Sequence, residues 1–267
     1  MRRLTTLKIT LMLLLVILGS APIFLTGSVL PVSVRASDPV VNQPAGIVEE
    51  QPGDSLILTS PGPGSRVRAP LKVLGDLNLE QGEVLLVELR GKDGRLLVRH
   101  LHRKGLTIDD SLEAALNFQL RDPEEAGRLL LISRDIHQRT SAVNSVDLIL
   151  SAGAELILPA ADASQSIQIH QPTAGSYQSG GNIIVSGTIR TETDGPLHIE
   201  LVNQKSGIIG QRLAGIAGNP GGDSRTFTVE VPYSVSEATP VRVLVYEDGG
   251  LISPVRHLTS LEVILEP

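Results

Sequence analysis

The chain contains no cysteine and no tryptophan, and its aromatics are only Phe24, Phe118, Phe227, Tyr177, Tyr233 and Tyr246. Without cysteine there are no disulfides, no thiol nucleophile and no thiolate metal site. A lipid-modified cysteine after an export signal is excluded as well. So few aromatics argue against a platform for stacking bases, and equally against the Trp- and Tyr-rich surfaces on which sugars stack. Acid is missing from residues 1–36, which carry Arg2, Arg3, Lys8 and Arg35; the remainder holds 19 basic against 29 acidic residues. An acidic surface repels phosphate backbones and anionic lipid, which argues against nucleic acid as a partner.

What the N-terminus does have is the order of an export segment. Basic Arg2, Arg3 and Lys8 precede the apolar run Ile9–Leu18, as in a secretory signal. Val34-Arg35-Ala36 would permit cleavage before Ser37. A retained anchor is the competing reading: residues 9–34 are uncharged, and about 20 apolar residues span a bilayer. Gly19, Pro22, Gly27 and Pro31 interrupt the second half of that stretch. Residues 1–36 are therefore read as a signal peptide or a membrane anchor, and either places the rest outside the cytoplasm. Residues 37–54, rich in Pro, Gln, Glu and Gly, read as a flexible linker.

The remainder is a repeat. Leu56–Ser65 (LILTSPGPGS) aligns with Ile167–Ser176 (IQIHQPTAGS), and Leu71-Lys-Val73-Leu-Gly75 with Ile183-Ile-Val185-Ser-Gly187. Leu85–Leu89 aligns with Leu197–Leu201, Phe118-Gln-Leu120 with Phe227-Thr-Val229, and Ser145–Leu150 with Ser260–Leu265. Five blocks in one order indicate a duplication. Within them apolar and polar residues alternate with period two, the mark of half-buried strands: Leu85, Val87 and Leu89 against Glu88 and Arg90, and Leu112 to Leu120 against Glu113, Asn117 and Gln119. The segment from Asp110 to Leu116 could instead start a short helix, but its alternation favours a strand. Turn formers such as Asp93-Gly94, Lys205-Ser206-Gly207 and Asp248-Gly249-Gly250 separate the runs. The expectation is all-β: two tandem immunoglobulin-like β-sandwiches at 55–152 and 165–267, joined by a connector at 153–164 that is partly strand-like at Leu156–Leu158.

The shared features are an opening strand followed by Pro61 or Pro172, then Gly64-Ser65 or Gly175-Ser176, and a strand ending in Gly75 or Gly187. With Asp93-Gly94, Phe118, Phe227 and the terminal apolar strands, they resemble the immunoglobulin-like domain of bacterial spore-germination and related cell-envelope proteins. The resemblance covers roughly Leu56–Leu150 and Ile167–Leu265. It implies an extracytoplasmic interaction module without catalytic residues.

Candidate chemistry is sparse. His100 and His102 lie two apart on one strand face, but a metal needs three or four ligands, and Arg99, Arg103 and Lys104 make the neighbourhood positive; a solvated face is expected. Gly221-Gly222-Asp223-Ser224 has the wrong order for a trypsin-like nucleophile segment and reads as a hairpin loop. Asp109-Asp110 and Glu49-Glu50 do not extend into calcium loops. The Gly175–Gly181 segment lacks the Gly-Lys-Ser/Thr of a phosphate loop. Phe118 and Phe227 are expected at equivalent core positions. Tyr177 and Tyr233 are the best-placed aromatics for a ligand, with edge packing preferred.

No residue is assigned to catalysis, a cofactor or a metal. The expected function is an extracytoplasmic structural or interaction module, not an enzyme, binding a protein or a cell-wall polymer and touching membrane only through residues 9–34. The alternatives are a carbohydrate-binding accessory domain, which requires exposed aromatics, and an unrecognised enzyme, which requires a deep pocket between the domains with convergent titratable groups.

Overall fold

Alternating side chains let a strand bury one face while the other stays polar, and the computed structural model builds sixteen strands and no helix among the residues it describes, 56–103, 110–160, 166–191, 193–217 and 224–267. The readings of residues 1–54, Lys104, Asp109, connector residues 161–164 and the glycine-rich loop through Asp223 lie outside the described residues. In the first copy the strands are β1 (Leu56–Ser60), β2 (Arg66–Val67), β3 (Leu71–Leu77), β4 (Val84–Gly91), β5 (Leu96–Arg103), β6 (Ser111–Leu116), β7 (Glu124–Arg134) and β8 (Thr140–Ser151). In the second they are β9 (Ile167–Gln171), β10 (Tyr177–Gln178), β11 (Asn182–Ile189), β12 (Leu197–Asn203), β13 (Gly207–Ala214), β14 (Arg225–Pro232), β15 (Thr239–Asp248) and β16 (Val255–Leu265). The segment from Asp110 is a strand, as its alternation favours.

Strand order repeats one for one. A three-stranded sheet β1-β3-β6 faces β5-β4-β7-β8, and β9-β11-β14 faces β13-β12-β15-β16; short β2 and β10 run parallel to β8 and β16. Two facing antiparallel sheets in this order are an immunoglobulin-like sandwich, and each has its own core. Leu56, Val73, Leu85, Leu129 and Leu150 belong to the first core, and Ile167, Val185, Leu197, Val243 and Leu265 to the second.

The repeated motifs have local reasons. Gly64 and Gly175 adopt φ of 74° and 75°, a left-handed conformation that glycine takes without a Cβ penalty. There the chain crosses from one sheet to the other. Gly64 N donates to Asp147 O at 2.9 Å and Gly175 N to Glu262 O at 2.7 Å. Ser65 and Ser176 turn their hydroxyls back onto Gly62 O and Thr173 O. Leu156 pairs with Arg66 through both backbone bonds, an isolated bridge within the stretch Leu156–Leu158 expected to be strand-like.

Register corrects one equivalence. Gly75 stands opposite Leu112, and Gly187 opposite Phe227. The counterpart of Phe227 is therefore Leu112, and Phe118 takes the place of Tyr233. All four are buried. The Phe-to-Phe match slides the strand by six residues, because the aromatic ring sits at different heights in the two cores. Tyr233 is a buried packing residue whose hydroxyl donates to Gln178 O at 2.9 Å, with Glu266 O at 3.1 Å. Gln178 O also accepts from Glu266 N, so Tyr233→Phe leaves that carbonyl paired and should cost about 1 kcal/mol by urea denaturation.

Candidate functional site

The histidine pair does not lie on a solvated face. His100 stands opposite Val87 and His102 opposite Leu85, and directly opposed residues share a face. Val87 and Leu85 point into the core, so the imidazoles sit half-buried on the inner side of edge strand β5. Among the described residues no group of three or more His, Asp or Glu stands close enough to hold a metal ion. Glu88, on the outer face as its alternation indicates, is only 1% exposed. Arg90 and Arg99 close over it from both sides, an effect of long neighbouring side chains that alternation alone does not register. Tyr177 is 65% exposed. Asp248 Oδ1 accepts from Gly250 N, the bond of a plain turn.

The polar and titratable clusters that the sequence does not announce lie where the sandwiches meet. β8 and β16 pair through Val143–Leu258 and Ala142–Thr259, which fuses the two larger sheets into one. Val143 and Leu258 are themselves counterparts in the repeat, so the contact is self-complementary, related by an approximate two-fold axis. On the outer face of the fused sheet, Leu130, Val143 and Leu258 form a third buried cluster, flanked by Ile132, Leu244, Tyr246 and Val255.

Ion pairs bracket this cluster at both ends, again through counterparts. At one end Arg128 Nε donates to Asp147 at 2.7 Å, and Arg256 donates to the same carboxylate at 2.6 Å. Arg128 also reaches Gly249 O and Ser253 Oγ in the β15–β16 loop at 2.8 and 2.9 Å. At the other end Arg242 and Glu262, the counterparts of Arg128 and Asp147, engage Asp135 and Arg139 of the β7–β8 loop. Each sandwich thus lends its last hairpin loop to the other's arginine. Burial raises the Asp147 carboxyl, but the hydrogen bond and charge of Arg128, with those of Arg256, outweigh it and hold the group below the usual carboxylate range.

Beside these pairs β8 and β16 diverge and leave a cavity of about 550 Å³, lined by Asn144, Ser145, Asp147, Arg190, Arg256 and His257 among others. His257 is 6% exposed and its Nδ1 accepts from Ser145 N across 3.4 Å. That bond fixes the neutral form with its proton on Nε2. On the other side of the fused sheet His198 stacks on Tyr246, ring centroids 4.8 Å apart, and the Tyr246 hydroxyl donates to Glu200 at 2.8 Å. Burial, then the Glu200 hydrogen bond and charge, push the phenol up to about 12. Glu200→Gln should bring it down while leaving it above 10, since burial remains; ultraviolet titration of tyrosinate reads this.

No family model matches the chain, and no curated protein matches it. Solved structures do. An Escherichia coli alpha-2-macroglobulin activated by porcine elastase is 11% identical over 82% of this chain and 22% of its own length, with a TM-score of 0.23. An ICAM-5 D1–D4 ectodomain fragment is 14% identical over 80% of this chain and 54% of its own, TM-score 0.25. A marsupial T cell receptor is 8% identical over 80% and 73%, TM-score 0.27. The chain therefore spans about a fifth and about half of the first two. The fold rests on the strand order given above.

Proposed function

We propose that the chain is an extracytoplasmic, non-catalytic structural or interaction module that holds a protein or cell-wall partner. The junction carries this reading: a fused sheet, a third apolar cluster and reciprocal ion pairs give the two sandwiches a fixed relative placement, as a spacer or docking frame requires. Export through residues 1–36 and the resemblance to the spore-germination and cell-envelope domain agree with it. The cavity between the sandwiches is the place an enzyme would use, but its groups are turned on one another. Asp147 is held by two arginines and His257 Nδ1 is spent on a backbone N–H. Exposed aliphatics stand instead on the two corresponding hairpin loops, Ile136 on β7–β8 and Leu251 on β15–β16, and loops on a rigid scaffold are where binding residues collect.

The purified chain without residues 1–36 should be retained by envelope protein fractions or by isolated wall polymer, and Ile136→Asp with Leu251→Asp should weaken retention at least tenfold. Tyr177, being exposed, supports the carbohydrate-binding alternative. That reading gains if soluble glycans compete and Tyr177→Ala abolishes retention. Turnover of any substrate with no retention on either material overturns the proposal.

A further inference from the structure

The two-fold relation of the junction is broken at one place. In the first copy Ser133 stands opposite Ala142; at the corresponding place in the second, Glu247 stands opposite His257. A small residue suffices on one side, whereas on the other a titratable pair is buried against the partner sandwich. His257 is faced from every packed element by charge: Arg128 on β7, Asp147 on β8, Arg190 after β11, Glu247 on β15 and Arg256 on its own β16. Three guanidinium groups and two carboxylates thus surround the imidazole. Glu247 is engaged at Oε1 by the Thr191 and Thr193 hydroxyls. An imidazolium there would be a buried positive charge set beside Arg256 and Arg128, and its Nδ1 would turn from an acceptor into a donor facing the Ser145 N–H.

We propose that the junction is an acid-labile clasp: the neutral His257 imidazole helps hold it shut, and protonation of His257 separates the two sandwiches while each stays folded. Separation comes before unfolding because the contact is small. Two residue pairs, three buried apolar side chains and the ion pairs at either end join the sandwiches, against a full core inside each, and the least-packed contact opens first.

The sign follows from linkage. Burial, with Arg256 and Arg128 adding to it and Asp147 opposing, brings His257 from 6.5 down to about 3 in the closed state. A lowered value in the closed form means the closed state is fully favoured above 6.5. Its advantage is then lost as pH falls towards the closed-state value, with opening favoured up to about tenfold more per pH unit. Asp147 and Asp135 are held below their ordinary value, so they enter only below about pH 4. In the interval from pH 6.5 to about 4.5 both aspartates stay charged, and substitution of His257 separates its contribution from that of the five other histidines.

Because the chain has no cysteine, Glu113→Cys with Glu230→Cys places one dye on exposed β6 and one on exposed β14 without background labelling. The expected result is a reversible increase in dye separation between pH 6.5 and 4, with the far-ultraviolet circular dichroism unchanged. His257→Ala, which copies Ala142, and His257→Gln, which keeps an acceptor for Ser145 N–H, should show no transition in that interval. Dichroism at pH 7.5 identifies whichever variant folds. A separation that stays constant until the dichroism is lost overturns the proposal. So does a decrease on acidification, as a new His257–Glu247 pair would produce, or a folded variant that titrates like the parent.

Discussion

Gly187→Ala should destabilise the second sandwich by about 3 kcal/mol or more, read as a lower urea midpoint with unchanged slope. A Cβ at Gly187 would stand 2.0 Å from Gln168 O and 2.7 Å from the Phe227 ring; at Gly75 the corresponding contact is 2.3 Å from Ile57 O. In both copies the obstacle is a backbone carbonyl of the first strand, β1 or β9, which runs over the glycine where its register shifts. A carbonyl in a ladder cannot swing aside as a flexible side chain can. The strand must lift, and its hydrogen bonds to β3 or β11 go with it. Gly75→Ala should behave alike in the first sandwich. Each glycine, expected from the sequence to end its strand, lies two residues inside it, in Leu71–Leu77 and Asn182–Ile189, and is required by a close approach of backbones, not by a turn.

Arg128→Ala is the second large effect, about 3 kcal/mol, and its signature differs. Arg128 is 2% exposed and divides its donors between Asp147 on its own sandwich and the β15–β16 loop of the other. Truncation leaves Gly249 O without that donor, and a void beneath the loop. Asp147 keeps Arg256, which limits the loss. Because the bonds that go are those joining the sandwiches, unfolding in urea should change from one transition to two, one per sandwich. Arg128→Met, which fills the volume without asking for partners, should recover part of the stability but not the bonds to the loop. A single transition with an unshifted midpoint would show that the junction does not depend on this arginine.

Much of the fold could be read from the residues because each strand obeys one local rule. Alternation marks the inner faces of β4, β6 and β12 correctly, and Pro-x-x-Gly-Ser marks both crossings between sheets. The fourth repeat block misleads for a physical reason. An aromatic ring is a conspicuous landmark, yet the constraint in that strand is the glycine opposite, and the ring moves between Leu112/Phe227 and Phe118/Tyr233. The junction was not legible, since alternation assigns Arg128, Asp147 and His257 by strand face alone. Whether a second sandwich covers them is a tertiary fact. One signal did exist: Arg128 with Asp147 and Arg242 with Glu262 recur at the same repeat positions with the same signs. The histidines that drew attention, His100 and His102, lie at a sheet rim, while His257, solitary in its segment, is the one against the partner.

The pairing of Val143 with its own counterpart Leu258 has an arithmetical consequence. Each sandwich spends the same edge and the same loop on its neighbour, so a third copy added in tandem would find both already taken. An array built on this contact cannot grow by ones as a stack of beads does; it saturates at two, and a longer chain would have to repeat the whole couple. What the fused sheet keeps free for the outside world is then fixed as well: its far edges β5 and β13, one at each end.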